Sequence, residues 1–224
     1  MTYDDFTLEM LIEQFDLEVQ EQSDLFARLP PAPIGDLLRQ SLQEYAPFAL
    51  EIGTEKARSE FIIAPVLAEV RRQLQPGISL FSGVEFNVDA SRGLRGVCDF
   101  LFSLSPLQLT IQAPVVSVVE AKNDNIKAGI SQCLAEMVAA QIFNKTRGNA
   151  IKSVYGAVTT GTNWKFMRLT GAVVMVDTSE YYLKEIEHVV GILVALAREA
   201  REQALGADGK RRTPDRATDF DKER

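Results

Sequence analysis

The chain reads as an α/β protein: one central mixed β-sheet flanked by helices, with extra N-terminal helices and a C-terminal helix. Three observations predict this. The first 74 residues carry apolar positions at helical spacing, interrupted by proline and glycine. Residues 79–122 switch to short β-branched and aromatic runs. A helical pattern at 126–145 then separates the third such run from a fourth, and a helix crossing between strands of one sheet implies parallel or mixed pairing at its centre.

Residues 5 to about 22 place Phe6, Leu8, Leu11, Ile12, Phe15 and Leu17 among acids, which predicts an amphipathic helix. The run Leu29-Pro30-Pro31-Ala32-Pro33 breaks it, because proline fixes φ and lacks a donor. A second amphipathic helix is expected from 34 to about 48. Thr54 caps a third over 55 to about 74, stopped by Pro76-Gly77 and kinked or split at Pro65. Strands are expected at 79–88, 94–103 and 115–122, with Ala90-Ser91-Arg92-Gly93 turning the first into the second. The helix at 126–145 buries Ile130, Cys133, Leu134, Met137, Val138 and Ile142 and ends at Arg147-Gly148-Asn149. Strands at 154–160 and 164–169 flank Gly161-Thr162-Asn163, and 172–177 fits one more. A last helix over 181 to about 205 is apolar at Ile186, Val189, Val190, Leu193, Val194 and Leu196. From Gly206 the chain is charged and aperiodic, which predicts a frayed tail. The expected organisation is an acidic helical extension at 1–50 packed on the core, an α/β core at 51–205 and a flexible tail at 206–224.

The 224 residues are 46% hydrophobic and 25% charged, ordinary values for a globular domain with a sizeable core. No stretch approaches a membrane span, and the first residues are acidic where a signal peptide is basic, so a cytoplasmic protein is expected. Cys98 and Cys133 sit in apolar surroundings as reduced packing residues, and with His188 they form no zinc spacing. The net charge of −7 argues mildly against nucleic acid as a ligand. Its distribution weakens that argument: the balance is −8 over 1–50, +3 over 51–170 and −2 over 171–224.

The segment with the positive balance holds the chain's sharpest conflict between pattern and charge. Val115-Val116-Ser117-Val118-Val119 ends in Glu120-Ala121-Lys122. On a strand Glu120 and Lys122 point to one side and Ala121 to the other. Two charges at the end of a buried strand are costly unless paired, hydrogen-bonded or bound to a metal. Asp99 lies on the preceding strand, Glu60 on the third helix and Gln132 on the helix after Lys122.

This order (a helical acid, Asp99 on a hairpin strand, Glu120-x-Lys122, then a helical Gln) resembles the PD-(D/E)XK nuclease superfamily, which includes restriction endonucleases, RecB-type nucleases and many stand-alone bacterial proteins. The resemblance spans roughly 55–169, about half of the chain. Cys98 stands where the family pattern often has Pro, and Glu136 where RecB-type members usually show Tyr. The resemblance implies a restriction-endonuclease-like core and Mg²⁺-dependent phosphodiester hydrolysis on nucleic acid, DNA before RNA, with Mn²⁺ as a substitute. Asp99, Glu120 and the carbonyl of Ala121 would hold the metal, and Glu60 would reach it from the helix. Lys122 would orient water or stabilise developing charge, and Gln132 would hydrogen-bond Lys122, a ligand or a phosphate.

Plainer readings of the same residues stand beside these. Glu120 and Lys122 also fit a simple same-face ion pair, Asp99 a turn former, and Glu60 and Gln132 solvated helix positions. Glu136, one turn beyond Gln132, reads as structural. Trp164 and Phe166 read as core rather than base-stacking residues. Arg92, Arg95, Lys127, Lys145, Arg147, Lys152 and Lys165 read as exposed residues of which some suit a phosphate track. The alternative function is a catalytically silent nuclease-fold module that binds nucleic acid or a protein partner. A homodimer through the apolar stripe of the last helix and the N-terminal helices is a further expectation.

Overall fold

The computed structural model describes residues 1–149 and 151–211. The strands are β1 (Glu18–Gln22), β2 (Ser79–Glu85), β3 (Val97–Ser103), β4 (Val115–Ala121), β5 (Ser153–Thr159), β6 (Asn163–Thr170), β7 (Val173–Asp177) and a short β8 (Tyr181–Tyr182). The helices are α1 (Leu8–Phe15), α2 (Asp36–Ile52), α3 (Glu55–Arg58), α4 (Ala64–Leu74), α5 (Ile126–Thr146) and α6 (Ile186–Arg211). A π-helical stretch, Ser59–Ile63, joins α3 to α4.

All eight strands belong to one sheet, ordered β1-β7-β6-β5-β4-β3-β2, with β8 paired to β6. The β4–β5 and β1–β7 pairs are parallel and the others antiparallel. The sheet is mixed because α5 carries the chain from the carboxyl end of β4 back to the start of β5. On one face, Phe100, Phe102, Val119 and Trp164 pack with Leu67 and Val70 of α4 and Val190 and Leu193 of α6. On the other, Leu101, Val118, Val158 and Met167 pack with Leu11 of α1 and Cys133, Leu134 and Met137 of α5. β4 is buried at every residue, which is why its sequence is nearly continuous valine rather than an apolar–polar alternation.

The structure departs from the sequence expectations at several elements. The first helix is not continuous to residue 22. It ends at Phe15, where Asp16 adopts a left-handed conformation (φ 52°), and Glu18–Gln22 pairs with β7 as a parallel edge strand. The N-terminal extension is therefore not wholly helical. α2 runs on to Ile52, beyond the expected end near 48. Its Pro47 is solvent-exposed, and the helix stops at Gly53 with φ 72°. The split expected at Pro65 takes the form of the π stretch just before it, where the Ala64 N–H donates to the Ser59 carbonyl five residues back. The last helix starts at Ile186, because Tyr181 and Tyr182 pair with Trp164 and Asn163 as β8. α6 continues to Arg211, so 206–211 is helical rather than frayed; the rest of the expected tail, 212–224, lies outside the described residues. The α6 stripe from Ile186 to Leu196 is buried in the chain's own core, which removes it as a dimer surface. Lys165 is 8% exposed rather than on an open face, and its Nζ donates to the carbonyls of Asp177 and Thr178. Trp164 and Phe166 are core residues with no exposure.

Candidate active site at the carboxyl end of β4

β4 ends in Glu120 and Ala121 against two neighbours. On one side, Phe100 of β3 pairs with Val119, so Asp99 stands opposite Glu120 one register step on. On the other, the Lys122 N–H donates to the Thr159 carbonyl of β5 at 2.8 Å and fixes the exit of the strand. Asp99 Oδ2 accepts from the Ala121 N–H at 2.8 Å. The Lys122 Nζ donates to Glu120 Oε1 at 2.5 Å and to Gln132 Oε1 of α5 at 3.0 Å. Glu120 is 1% exposed, and its Oε2 is buried without a hydrogen-bond partner.

These contacts leave the site short of positive charge. Burial raises the Glu120 carboxyl, Asp99 raises it further, and Lys122 offsets only part, so it stands at about 8. Burial also raises Asp99, against the Ala121 N–H and Lys122, which lower it. Burial pulls the Lys122 ammonium down, but its hydrogen bond and charge pairing with Glu120 outweigh this and hold it above its usual value.

The predicted residues do not all converge. Glu120, Lys122 and Gln132 form one bonded chain, and Asp99 faces Glu120. Glu60 lines a cleft of about 270 Å³ together with Asp99, Ala121 and Glu55, but it is half exposed and paired with Lys56 at 2.7 Å. Ala121 contributes its N–H to Asp99 and buries its methyl group on the α4–α6 face. Among the described residues, no three His, Cys, Asp or Glu side chains come close enough to ligate one ion.

Three further residues belong to this site. Gly129 lies where α5 crosses the end of β4. A Cβ there would come within 2.6 Å of Val158 and 3.0 Å of the Lys122 side chain, so only glycine lets the lysine stem pass beneath the helix. A glycine inside a helical pattern was the available signal. Glu136, one turn beyond Gln132, has no exposure and neither oxygen makes a hydrogen bond of normal geometry. Burial first, then the charges of Glu120 and Asp99, raise it far above the usual carboxylate range. Asp4 lies on a short 3₁₀ turn whose Tyr3 is buried against Gly96 with its Oη donating to the Phe86 carbonyl, and its charge adds to the upward push on Asp99 and Glu120. No local pattern in the sequence marks Asp4, because tertiary docking alone brings it there.

A second cavity, about 340 Å³, opens at the carboxyl ends of β4 and β5, lined by Arg58, Asn123, Lys127, Thr160 and Glu180 among others. Arg58 donates from Nη1 to the Thr160 carbonyl at 3.1 Å, and its Nε is buried without a partner. Cys98 and Cys133 are buried free thiols. Among the described residues no helix is long and apolar enough to cross a membrane. No family model matches the chain, and neither a curated protein nor a solved structure matches it.

Proposed function

We propose that this chain is a divalent-metal-dependent phosphodiester hydrolase acting on nucleic acid, with DNA the preferred substrate. The observation that carries the reading is the bonded chain Glu120–Lys122–Gln132 with Asp99 facing Glu120, set at the end of a buried strand where an ion pair alone gains little stability. Residues 51–205 would then be a restriction-endonuclease-like core, and the two reduced thiols suit a cytoplasmic protein.

Asp99 and Glu120 suit a hard cation, Mg²⁺ or Mn²⁺. Each is raised by burial, and Glu120 Oε2 is buried without a partner, so added positive charge relieves both. Two carboxylates are enough for Mg²⁺, which keeps several waters. Glu60, held by Lys56 at the cleft, is left to an outer, water-mediated role. When bound, such an ion supplies Lewis-acid polarisation of a phosphoryl oxygen and an activated water. Lys122 stays protonated at neutral pH and offers a fixed positive charge to the developing phosphorane oxygens. Gln132 accepts from the same ammonium as Glu120 and so helps to fix its position. Arg58 and Lys127, in the adjoining cavity, would contact neighbouring phosphates.

Cleavage assays with Mg²⁺ or Mn²⁺ on single- and double-stranded DNA and RNA test this. The wild type is expected to cleave, and Lys122→Ala and Asp99→Ala to lose about 100-fold or more. Absence of cleavage on every substrate with both metals overturns the enzyme reading. Salt-dependent DNA binding in that same preparation would leave a catalytically silent nuclease-fold module. In binding assays Arg58→Ala and Lys127→Ala should each lower the salt slope by about 1.

A further inference from the structure

α2 carries two apolar stripes where its own packing uses one. Leu38, Leu42, Ala46 and Ala49 face inward, toward α4 and the π stretch. Leu37, Ser41, Tyr45, Phe48 and Ile52 repeat at three- and four-residue spacing on the neighbouring side of the helix. This second stripe is open: Leu37 is 81% exposed, Tyr45 45%, Phe48 48% and Ile52 45%. Toward its start it borders an apolar groove of about 260 Å³ between α2 and α4, floored by Pro65 and Ala68. Toward its end the Tyr45 and Phe48 rings lean on Phe61 of the π stretch, at 5.9 and 5.4 Å. The stripe runs about 22 Å, four helical turns. Ser41, small between Leu37 and Tyr45, leaves a hollow that a larger side chain from outside would fill.

Charge decides what fits. The outer edge of the stripe carries Glu44 and Glu51, and neither forms a salt bridge among the described residues. Three cations of α2, α3 and α4 are already engaged with other carboxylates: Lys56 by Glu60, Arg72 by Glu69 and Arg39 by Glu187. An acidic edge repels nucleic acid and anionic lipid. It also disfavours a second copy packed antiparallel, because that pairing of two α2 helices would run Glu44 and Glu51 of both chains along one edge. We infer that the outer face of α2 is a docking surface for a basic amphipathic helix of a partner protein, its apolar residues laid along Leu37–Ile52 and its Lys or Arg side chains meeting Glu44 and Glu51.

Fluorescence anisotropy with the full chain tests this, independently of any cleavage. The probes are two labelled helical peptides of about 16 residues, enough for four turns, with the same leucine face and either lysine or glutamate on the polar face. The Leu/Lys peptide is expected to bind at least about tenfold more tightly than the Leu/Glu peptide, a difference of about 1.4 kcal/mol. Phe48→Ser with Tyr45→Ser should weaken it about tenfold or more. Glu44→Gln with Glu51→Gln should weaken it several-fold and flatten its salt dependence. Leu109→Ser, at a 92% exposed leucine elsewhere, should change nothing. Equal binding of the two peptides, or indifference to the Phe48 and Tyr45 substitutions in a protein of unchanged melting temperature, overturns the inference. So does sedimentation as a dimer that those substitutions convert to monomer, since a second copy then covers the face.

Discussion

Glu136 has no exposure, and burial first, then the charges of Glu120 and Asp99, hold its carboxyl far above the usual carboxylate range. A carboxyl whose folded pKa is raised gives stability that is complete below the unfolded value, near 4.5, and is lost as pH rises toward the folded one. Glu136→Gln removes that dependence. The variant should gain on the wild type from pH 5 upward, by at most about 1.4 kcal/mol per pH unit, in denaturant melts run at several pH values. Glu120 contributes a slope of the same sign between about 4.5 and 8, which Glu136→Gln leaves in place. Lys122→Ala has the opposite character. It strips the ion-pair partner from a buried carboxylate, so it should cost about 2–3 kcal/mol at pH 8 and less at pH 5, where Glu120 is neutral without help. Glu120 and Lys122 were legible because charges at the end of a valine run contradict their surroundings, whereas Gln132 was marked only by the family resemblance. Glu136 was read as structural because a glutamate on a helix carries no mark of whether its side of the helix is wet.

At the scale of elements, α5 both builds the parallel crossover and aims Gln132 at Lys122. Gly129 sets how close it can come. Gly129→Ala should cost about 1–3 kcal/mol by forcing α5 away from Val158 and Lys122, read as a lower melting temperature. If the hydrolase proposal holds, cleavage should fall further than stability alone explains. The strand and helix order of the core was legible from periodicity, and α5 from its long apolar face. β1 was not. Glu18-Val19-Gln20-Glu21-Gln22 has one apolar residue and is mostly exposed, so only main-chain pairing with β7 makes it a strand, and that partner lies 155 residues away. The π stretch was legible only as trouble at Pro65, because which preceding turn widens depends on packing against α2.

For the whole molecule, the acidic segment at the start of the chain is part of the fold rather than an attachment to it. β1 covers the edge of β7, Tyr3 and Phe6 fill the space above Gly93 and Gly96, and Leu11 and Leu17 complete the core on the α5 side. Deleting residues 1–22 should abolish cooperative unfolding and drive aggregation through the bared β7 edge, measured by near-ultraviolet circular dichroism and light scattering. Glu69 ties the chain before α2 to α4: it accepts from Arg72, Gln73 and the Gly35 N–H, and its Arg72 hydrogen bonds first, then Gln73 and Gly35, hold it down at about 2 against its burial. A lowered carboxylate gives stability that is present above its unfolded value and lost as pH falls, so Glu69→Gln should flatten the acid limb below pH 4.5.

The parallel pairing of β1 with β7 also sets an order of events during synthesis. β1 has no neighbour until β7, far later in the chain, has emerged, and β4 lacks its parallel mate until β5 follows α5. A nascent chain halted after α5 holds Asp99, Glu120, Lys122 and Gln132 but not the strand that fixes the exit of Lys122. The candidate site is therefore complete only once β5 has paired with β4, and β1 waits unpaired until β7 follows.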